Sequence, residues 1–205
     1  MKIRKYNKIL IGLTGNIASG KSLALEFFDG RLFEKIDSDS IAREHLLNLN
    51  IGNYPDFLNL KILNDKKIID KDRLGKIAFS DRKLMAKLEA AIHPLVIRDI
   101  ETILRKTTRT FAIVESAIIF ESNLDRYFDK IITVFAPYEI RMKRLVKRAK
   151  IKPSEAKKRI DFQMDEYRKI VLSDFAIDNS KDKRWLLQQV KNIEKKILNN
   201  YCIQT

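Results

Sequence analysis

Eight residues near the start of the chain have the types and spacing of a phosphate-binding loop. Residues 15–22 read GNIASGKS, which fits the pattern GxxxxGK[ST]. The two glycines, Gly15 and Gly20, let the backbone curl so that successive N–H groups point at phosphate oxygens. Lys21 then reaches the β- and γ-phosphates, and the Ser22 hydroxyl ligates Mg²⁺. The pattern predicts ATP-like binding with Mg²⁺, but it does not identify the group that receives the phosphate.

The sequence around this loop favours a nucleotide site over a chance glycine turn. The apolar run 9–13 predicts a buried strand before the loop, and residues 20–28 have the spacing of an amphipathic helix after it. The N-terminus of that helix adds positive charge to the N–H groups of the loop. No Asn-Lys-x-Asp signal for guanine follows, which disfavours a GTPase switch.

Two carboxylates follow the second predicted strand, residues 32–36. Asp37 and Asp39 are two residues apart, and such residues share a face of an extended chain. Ligands of parallel sheets bind at the carboxyl ends of strands. Either carboxylate could therefore accept a proton from an attacking hydroxyl or hold Mg²⁺ through water. Capping of the next predicted helix, from Ser40 to about Leu47, is the competing role for Asp39.

Arginines at helical spacing form a further candidate group. Arg43 lies four residues after Asp39, so in a helix its side chain would lie on the same side as the Asp39 carboxylate, over the expected phosphate site. Arg141, Arg144 and Arg148 are spaced by three and four residues, which places them on one helix face. Such a face is suited to neutralising a phosphoryl group in transfer. A solvated surface helix is the competing interpretation.

The periodicity of the whole chain predicts alternating strands and helices. The predicted strands are 9–13, 32–36, 111–115, 130–135 and 175–177, and the predicted helices are 20–28, 40–47, 82–92, 94–106, 138–150, 154–168 and from 182 onward. This alternation implies a mostly parallel sheet with helices on both faces. Pro94 fits the first position of a helix, so His93 before it is expected to be a cap or a buried, satisfied histidine.

The composition narrows the class of protein. The 205 residues include 41 Lys and Arg against 27 Asp and Glu, a net charge of +14, and 45% are hydrophobic, which fits one folded domain rather than disorder. The single cysteine, Cys202, excludes an internal disulfide, and no apolar run approaches the roughly 18 residues of a membrane span. We therefore expect a reduced, cytoplasmic protein.

Ten basic residues and one acid lie between Arg141 and Arg159, either as a solvated helix surface or as a site for a polyanion.

In their order along the chain, these motifs resemble those of the dephospho-CoA kinase family from end to end. The resemblance is carried by residues 11–22, 37–39 and 41–43, by Ile69, Asp70, Leu74, Gly75, Phe79, His93 and Pro94, by 118–121 and 136–140, and by Arg144, Arg148, Ala156, Arg159, Ile160, Gln163, Asp174 and 177–179. It implies ATP-dependent phosphorylation of the ribose 3′-hydroxyl of dephospho-CoA, the final step of coenzyme A biosynthesis.

The resemblance also implies an architecture. It predicts a single kinase domain, residues 1–205, with a three-layer P-loop nucleoside-triphosphate-hydrolase-like α/β fold and a five-stranded parallel sheet. The core would comprise 1–47, 110–137 and 170–205, a helical CoA-binding insert about 48–109, and a lid about 138–169. We expect a monomer or weak homo-oligomer that binds ATP and dephospho-CoA and has no nucleic-acid or membrane partner.

The family's residue roles carry over by motif position. The implied catalytic residues are Asp39 as candidate base, Lys21 and Arg144. The implied ATP-binding residues are Gly15, Ala18, Ser19, Gly20, Lys21, Ser22, Leu23, Arg148 and Asn179. The implied substrate-binding residues are Asp37, Arg43 and His93, and Ser22 is the implied Mg²⁺ ligand.

Several positions depart from the family pattern. Asn16 and Ala18 stand where glycine is frequent; Ala18 is the milder change, and Asn16 tolerates the left-handed conformation better than most residues, so the loop should keep its shape. Ala117 stands where proline is usual. Arg141 replaces a common glutamine and Ala149 a frequent aspartate, which predicts a lid more positive than is typical.

Two other functions compete with this one. Another small P-loop kinase, acting on a nucleoside monophosphate or a sugar acid, is disfavoured because the insert with Asp70, Phe79 and His93 suits a large acceptor. A nucleic-acid-binding protein that uses ATP only structurally is disfavoured because the basic stretch lacks interleaved aromatic residues for base stacking.

Overall fold

The computed structural model describes residues 7–49, 62–65, 68–70, 73–74 and 81–202, with the side chains of all of these but Arg82 and Cys202. The chain divides into two compact units, one formed by residues 1–37 with 106–205 and the other by residues 38–105. Gly75 and Phe79, which the family resemblance includes, lie outside the described residues.

A five-stranded parallel sheet is the centre of the larger unit. Its strands are β1 (Ile9–Thr14), β2 (Phe33–Asp37), β3 (Phe111–Glu115), β4 (Lys130–Phe135) and β5 (Phe175–Asp178). They are ordered β2-β3-β1-β4-β5, so the strand that precedes the phosphate loop lies in the middle. The parallel sheet predicted from the sequence is confirmed.

Helices α1 (Lys21–Phe27) and α7 (Lys183–Cys202) cover one face of the sheet. Alternate residues of β1, including Ile11 and Leu13, are fully buried against this layer, as are Ala24 of α1 and Leu186 of α7. Burial of these side chains fixes the start of α1 directly above the carboxyl end of β1. The phosphate loop therefore links two elements that the core holds rigidly.

The opposite face of the sheet is covered by the chain that follows β3 and by α6 (Glu166–Leu172). Ile119 and Phe120 pack there with Ile131, and Phe128 joins them. A Cβ atom at Gly12 would lie 2.8 Å from the Ile119 side chain, so β1 has no room for a larger residue on this face. The larger unit thus has helices on both sides of its sheet.

Two more helices, α4 (Tyr138–Ala149) and α5 (Pro153–Asp161), precede α6, and a short 3₁₀ helix spans Asp125–Tyr127. The prediction of one helix over 154–168 is wrong, because α5 and α6 are separate. Asp165 begins α6 by accepting a hydrogen bond from the Arg168 N–H at 3.0 Å. Such side-chain caps satisfy N–H groups that a new helix leaves unpaired, so they favour a break at this point.

The smaller unit contains α2 (Ser38–Leu47) and most of α3 (Arg82–Lys106). The prediction of two helices separated at Pro94 is wrong, since α3 continues through it. Pro94 lacks the N–H that would bond one turn back, a cost of about 3 kcal/mol. Burial of Leu88, Ile92 and Val96 along α3 outweighs this cost. His45 of α2 and Asp99 of α3 lie 2.6 Å apart (Nε2 to Oδ2) and join the two helices.

Candidate active site

The phosphate loop requires glycine at both of its ends. Gly15 has φ +146° and Gly20 has φ +99°, values that L side chains rarely adopt. A Cβ atom at Gly15 would lie 2.1 Å from the Val134 carbonyl oxygen, and one at Gly20 would lie 2.0 Å from Asn179 Nδ2. The backbone curl predicted from the pattern is therefore required by the close contacts of the loop with β4 and with Asn179, the residue after β5.

Ala18, rather than Asn16, takes the left-handed conformation inside the loop, with φ 62°. The idea that tolerance of this conformation at Asn16 preserves the loop is thus wrong, and the substitution at Ala18 is the more strained of the two. A left-handed alanine costs roughly 1–2 kcal/mol. Ala18 also packs with the apolar cluster of Leu145, Ala156 and Ile160, which offsets part of that cost.

The carbonyl of Ser19 is held by two of the predicted site residues. Asn179 donates to it from Nδ2 at 2.7 Å, and Arg144 approaches it with Nη1 at 3.4 Å. Arg144 also donates from Nη2 to the Asn179 carbonyl at 2.9 Å, and Asn179 is fixed in turn by its N–H bond to Phe135. Burial lowers the pKa of Arg144 below its ordinary value. The structure thus brings Arg144 and Asn179 to the phosphate loop.

Lys21 lies at the first position of α1 with most of its side chain buried. Within the described part of the chain, its ammonium has no hydrogen bond or ion pair. A buried cation is costly without a partner, so Lys21 is suited to an anion that arrives from outside.

Leu23, two residues later, packs its side chain against the core. Only the backbone N–H of Leu23 is therefore suited to a phosphate contact.

Glu115, the last residue of β3, is a candidate site residue that the sequence analysis did not select. It is buried, and its Oε1 accepts a hydrogen bond from Ser22 Oγ at 2.8 Å. In the sheet it lies in register with Leu13 on one side and Asp37 on the other. The sequence shows only that the predicted strand 111–115 is an apolar run ending in a carboxylate; its place beside the loop follows from the strand order.

The Ser22 and Glu115 pair fits a divalent cation. Mg²⁺ prefers oxygen ligands and is usually held by one or two protein groups together with phosphate oxygens and water. A hydroxyl and a carboxylate 2.8 Å apart, at the start of α1, supply such oxygens where the phosphates would lie. The geometry is thus consistent with the Mg²⁺ role predicted for Ser22.

The three arginines of α4 lie in one helix at the predicted spacing, but they differ in burial and in partners. Arg141 is buried, with Nε bonded to the Ala136 carbonyl at 3.0 Å and 3.3 Å from Glu166 Oε1. Burial raises the pKa of Glu166, an effect that the charge of Arg141 opposes. The expected gain of positive charge at Arg141 is therefore compensated by Glu166. Arg148 is exposed, and within the described residues it has no hydrogen bond or ion pair.

The remaining predicted residues belong to the smaller unit. Asp39 lies in the first turn of α2, so the prediction that it shares a strand face with Asp37 is wrong: the helix begins at Ser38, directly after β2. Arg43 lies one helical turn further along α2. His93 lies within α3, where burial lowers its pKa below the ordinary 6.5. That these three residues serve the acceptor remains a prediction.

Comparison with known proteins decides the family. The family model described as dephospho-CoA kinase matches residues 9–184. The chain belongs to the dephospho-CoA kinase family. A dephospho-CoA kinase from Fusobacterium nucleatum is 32% identical over 89% of this chain and 95% of its own length. One from Aquifex aeolicus is 30% identical over 89% of this chain and 94% of its own.

Solved structures agree with this assignment. A protein from Thermus thermophilus, TT1252, is 25% identical and superposes with a TM-score of 0.78 over 95% of this chain and 98% of its own. A dephospho-CoA kinase from Campylobacter jejuni is 27% identical, with a TM-score of 0.55 over 93% and 98%. A shikimate kinase from Acinetobacter baumannii, 11% identical with a TM-score of 0.55, shares the fold.

Membership of the dephospho-CoA kinase family confirms the resemblance found in the sequence and establishes the chain as a P-loop kinase. Within the described residues, no helix is both long and apolar enough to cross a membrane. In the part of the chain that the structure describes, an anion-binding loop, a lysine without a hydrogen bond or ion pair and a hydroxyl–carboxylate pair lie at the carboxyl edge of one sheet. This set of groups can bind and polarise a triphosphate.

Proposed function

We propose that this protein transfers the γ-phosphoryl group of ATP to the ribose 3′-hydroxyl of dephospho-CoA in the cytoplasm, giving coenzyme A and ADP. One observation carries the proposal: Lys21 is buried beside the phosphate loop and has no hydrogen bond or ion pair among the residues that the structure describes, in a chain whose residues 9–184 match the dephospho-CoA kinase family. A shared fold alone would not favour this acceptor over others.

On the nucleotide side, the N–H groups of residues 15–22 and the ammonium of Lys21 bind the phosphates of ATP. Ser22 and Glu115 would hold Mg²⁺, which when bound neutralises negative charge that develops between the β- and γ-phosphates. Arg144 already contacts the loop and adds positive charge beside it. Arg148, exposed one turn further along α4, and Asn179 complete the ATP site.

On the acceptor side, Asp39 accepts or directs the proton of the 3′-hydroxyl as phosphorus is attacked in line. Arg43 and His93 bind dephospho-CoA, together with Asp37 at the end of β2. The helical insert, about 48–109, holds the rest of this large acceptor. Asp37 is the alternative base, because it is the last residue of β2, two positions before Asp39, and lies beside Glu115 in the sheet.

The protein has little covalent chemistry to perform in such a reaction. Phosphoryl transfer is accelerated mainly by positioning and by neutralisation of charge. The segment 138–169 serves as a lid that excludes water and thereby limits ATP hydrolysis. Arg144 on this segment links closure of the lid to the phosphate loop through its contacts with Ser19 and Asn179.

A panel of acceptors with ATP and Mg²⁺ tests the proposal. The panel contains dephospho-CoA, several nucleoside monophosphates and shikimate, and ADP formation is measured as kcat/KM for each. We expect dephospho-CoA to exceed every other acceptor by at least about a hundredfold, or ~2.7 kcal/mol of transition-state discrimination. Phosphorylation of monophosphates or shikimate without that of dephospho-CoA would overturn the proposed acceptor.

A further inference from the structure

The tip of the phosphate loop is bonded to the short segment between α5 and α6. Asn16 donates from Nδ2 to the Met164 carbonyl at 2.8 Å, and the Ile17 N–H donates to Gln163 Oε1 at 2.6 Å. Asn16 is buried, so little water competes for its hydrogen bond. Arg144 and Asn179 also bind the Ser19 carbonyl. The loop is therefore held both at its tip, Asn16 and Ile17, and at its base, Ser19.

The segment that holds the tip is itself anchored by an ion pair. The Met164 N–H donates to Glu121 Oε1 at 3.2 Å, and the same oxygen lies 2.8 Å from Lys169 Nζ. The Lys169 side chain is 0% exposed and also donates to the Ala117 carbonyl at 2.6 Å. Burial of a lysine ammonium costs desolvation free energy unless its partners are well placed, so Lys169 restricts the positions that Glu121 can take. Glu121 therefore binds the backbone N–H of Met164, while Asn16 binds its backbone carbonyl.

Apolar contacts act in the same direction. Ile17 and Ala18 pack against a buried cluster of Leu145, Ala156 and Ile160, which belongs to α4 and α5. The loop residues between Gly15 and Ser19 are thus in contact with the helices of the lid segment.

We infer that Asn16 and the Lys169–Glu121 ion pair are positioning residues that hold the phosphate loop in its nucleotide-binding curl before ATP arrives. The inference rests on the proposed function, because it takes ATP as the ligand. A loop that samples other conformations binds its ligand more weakly, because its affinity is multiplied by the fraction of molecules in the binding-competent conformation. Preorganisation by Met164 removes that loss. Asn16 thus supplies a hydrogen bond that a glycine at this position could not.

Binding of ATP to the purified full-length protein, measured by calorimetry, tests the inference. The variants are Asn16→Ala and Lys169→Met, alone and combined. Alanine accommodates the Asn16 backbone, since Asn16 is not among the residues with left-handed φ. The matched controls are Asn192→Ala, at an exposed asparagine of α7, and Lys157→Met, which breaks the exposed Lys157–Asp161 pair.

We expect the ATP Kd to rise about tenfold in Asn16→Ala and by a similar factor in Lys169→Met. The combined variant should be little weaker than the worse single one, because both act through Met164. The KM for the acceptor should stay unchanged, which a general loss of structure would not allow. Both controls should bind ATP like the wild type.

The outcomes are distinguishable from one another. A wild type that does not bind ATP overturns the proposed function itself. A wild type that binds ATP, with Asn16→Ala unchanged in Kd, overturns the inference alone. Effects of the two substitutions that multiply in the combined variant would also overturn it, because they would show independent action. If Lys169→Met fails to fold in thermal melts, the ATP Kd of Asn16→Ala decides.

Discussion

Glu115 shows how one residue at the end of a strand can complete a site built around a loop. Its carboxylate is buried and accepts the Ser22 hydroxyl hydrogen bond, so it orients the side chain expected to ligate Mg²⁺. Groups that orient a metal ligand commonly change metal affinity by tenfold or more. The role of Glu115 should therefore appear in the metal dependence of the reaction.

Glu115→Gln should raise the Mg²⁺ concentration needed for half-maximal activity by about tenfold, or ~1.4 kcal/mol. The amide keeps the size of the side chain but loses the charge that favours the cation. Activity is titrated with Mg²⁺ at fixed ATP and acceptor. Glu139→Gln, at an exposed acid in the first turn of α4, is the control. An unchanged Mg²⁺ dependence in Glu115→Gln would exclude it from the metal site.

Lys21→Ala and Asp39→Asn should each lower kcat by at least ~10², equivalent to ~2.7 kcal/mol of lost transition-state stabilisation. The role proposed for Lys21 is to neutralise phosphate charge, and the role proposed for Asp39 is to take or direct the acceptor proton. Steady-state kinetics are measured on variants whose circular dichroism matches the wild type. Near-normal turnover in Asp39→Asn would reject that base, and Asp37→Asn would then be the variant expected to lose activity.

Gly20→Ala should lower the free energy of unfolding by more than about 1 kcal/mol. The new Cβ would lie 2.0 Å from Asn179 Nδ2, at a φ of +99°. Gly30→Ala is the matched control, because among the described residues its Cβ would approach the Lys35 side chain alone, at 3.7 Å or more. Urea denaturation measures both variants. Equal stabilities for the two would show that the Gly20 contact can relax without cost.

At the residue scale, the sequence predicted the loop well and its internal strain poorly. Glycine spacing identifies Gly15 and Gly20 because the motif is local. Which of Asn16 and Ala18 takes φ > 0 depends on contacts with Met164 and with the cluster of Leu145, Ala156 and Ile160, which are about 130 to 150 positions away along the chain. Glu115 was missed for a different reason, since its role follows from sheet order rather than from its own segment.

At the scale of elements, Arg141 and Glu166 form an ion pair that joins α4 to α6. Their side chains are 6% and 15% exposed, and Arg141 Nε also donates to the carbonyl of Ala136, two residues before α4. Removal of one member of a buried pair leaves the other charge uncompensated. The stability of the contact between α4 and α6 therefore depends on pH.

Arg141→Gln should lower the free energy of unfolding by about 3 kcal/mol near pH 7, and by less near pH 5. Burial raises the pKa of Glu166 above its ordinary 4.5, and loss of Arg141 raises it further. A raised folded-state pKa means that the folded protein binds more protons. Its stability therefore falls as pH rises through that pKa and recovers as pH falls. Urea denaturation at both pH values measures this.

The double variant Arg141→Gln/Glu166→Gln is the control for this effect. It removes both charges, so it should recover most of the lost stability and lose the pH dependence. Lys157→Gln, at the exposed Lys157–Asp161 pair, should change stability by less than about 0.5 kcal/mol at either pH. A deficit in Arg141→Gln that is the same at both pH values would contradict the assigned role of Glu166.

The strands were predicted more accurately than the helix boundaries, and the reasons are physical. β3 and β4 match the prediction residue for residue, since buried parallel strands are short apolar runs with clear ends. α3 passes through Pro94 because burial along its length outweighs one missing hydrogen bond. The break before α6 depends on the cap at Asp165, which the helical pattern of 154–168 conceals.

At the scale of the whole molecule, the order of strands decides what the chain can do. β1 lies between β3 and β4, so the phosphate loop is flanked by the carboxyl ends of two neighbours. β3 contributes Glu115 there, and β2 beyond it contributes Asp37. Sites of open parallel sheets form at such an edge. The sequence predicted the parallel sheet and its edge, whereas the register that brings Glu115 to Ser22 required the structure.

Analysis of the product by phosphorus NMR tests the central claim most directly. The purified protein is incubated with ATP, Mg²⁺ and dephospho-CoA. The account predicts one new phosphomonoester signal, coupled to the ribose 3′ proton and formed in equal amount with ADP. The same incubation with Lys21→Ala should give neither product at a comparable rate. ADP without a new phosphomonoester, or phosphate at another position of the acceptor, would contradict the account.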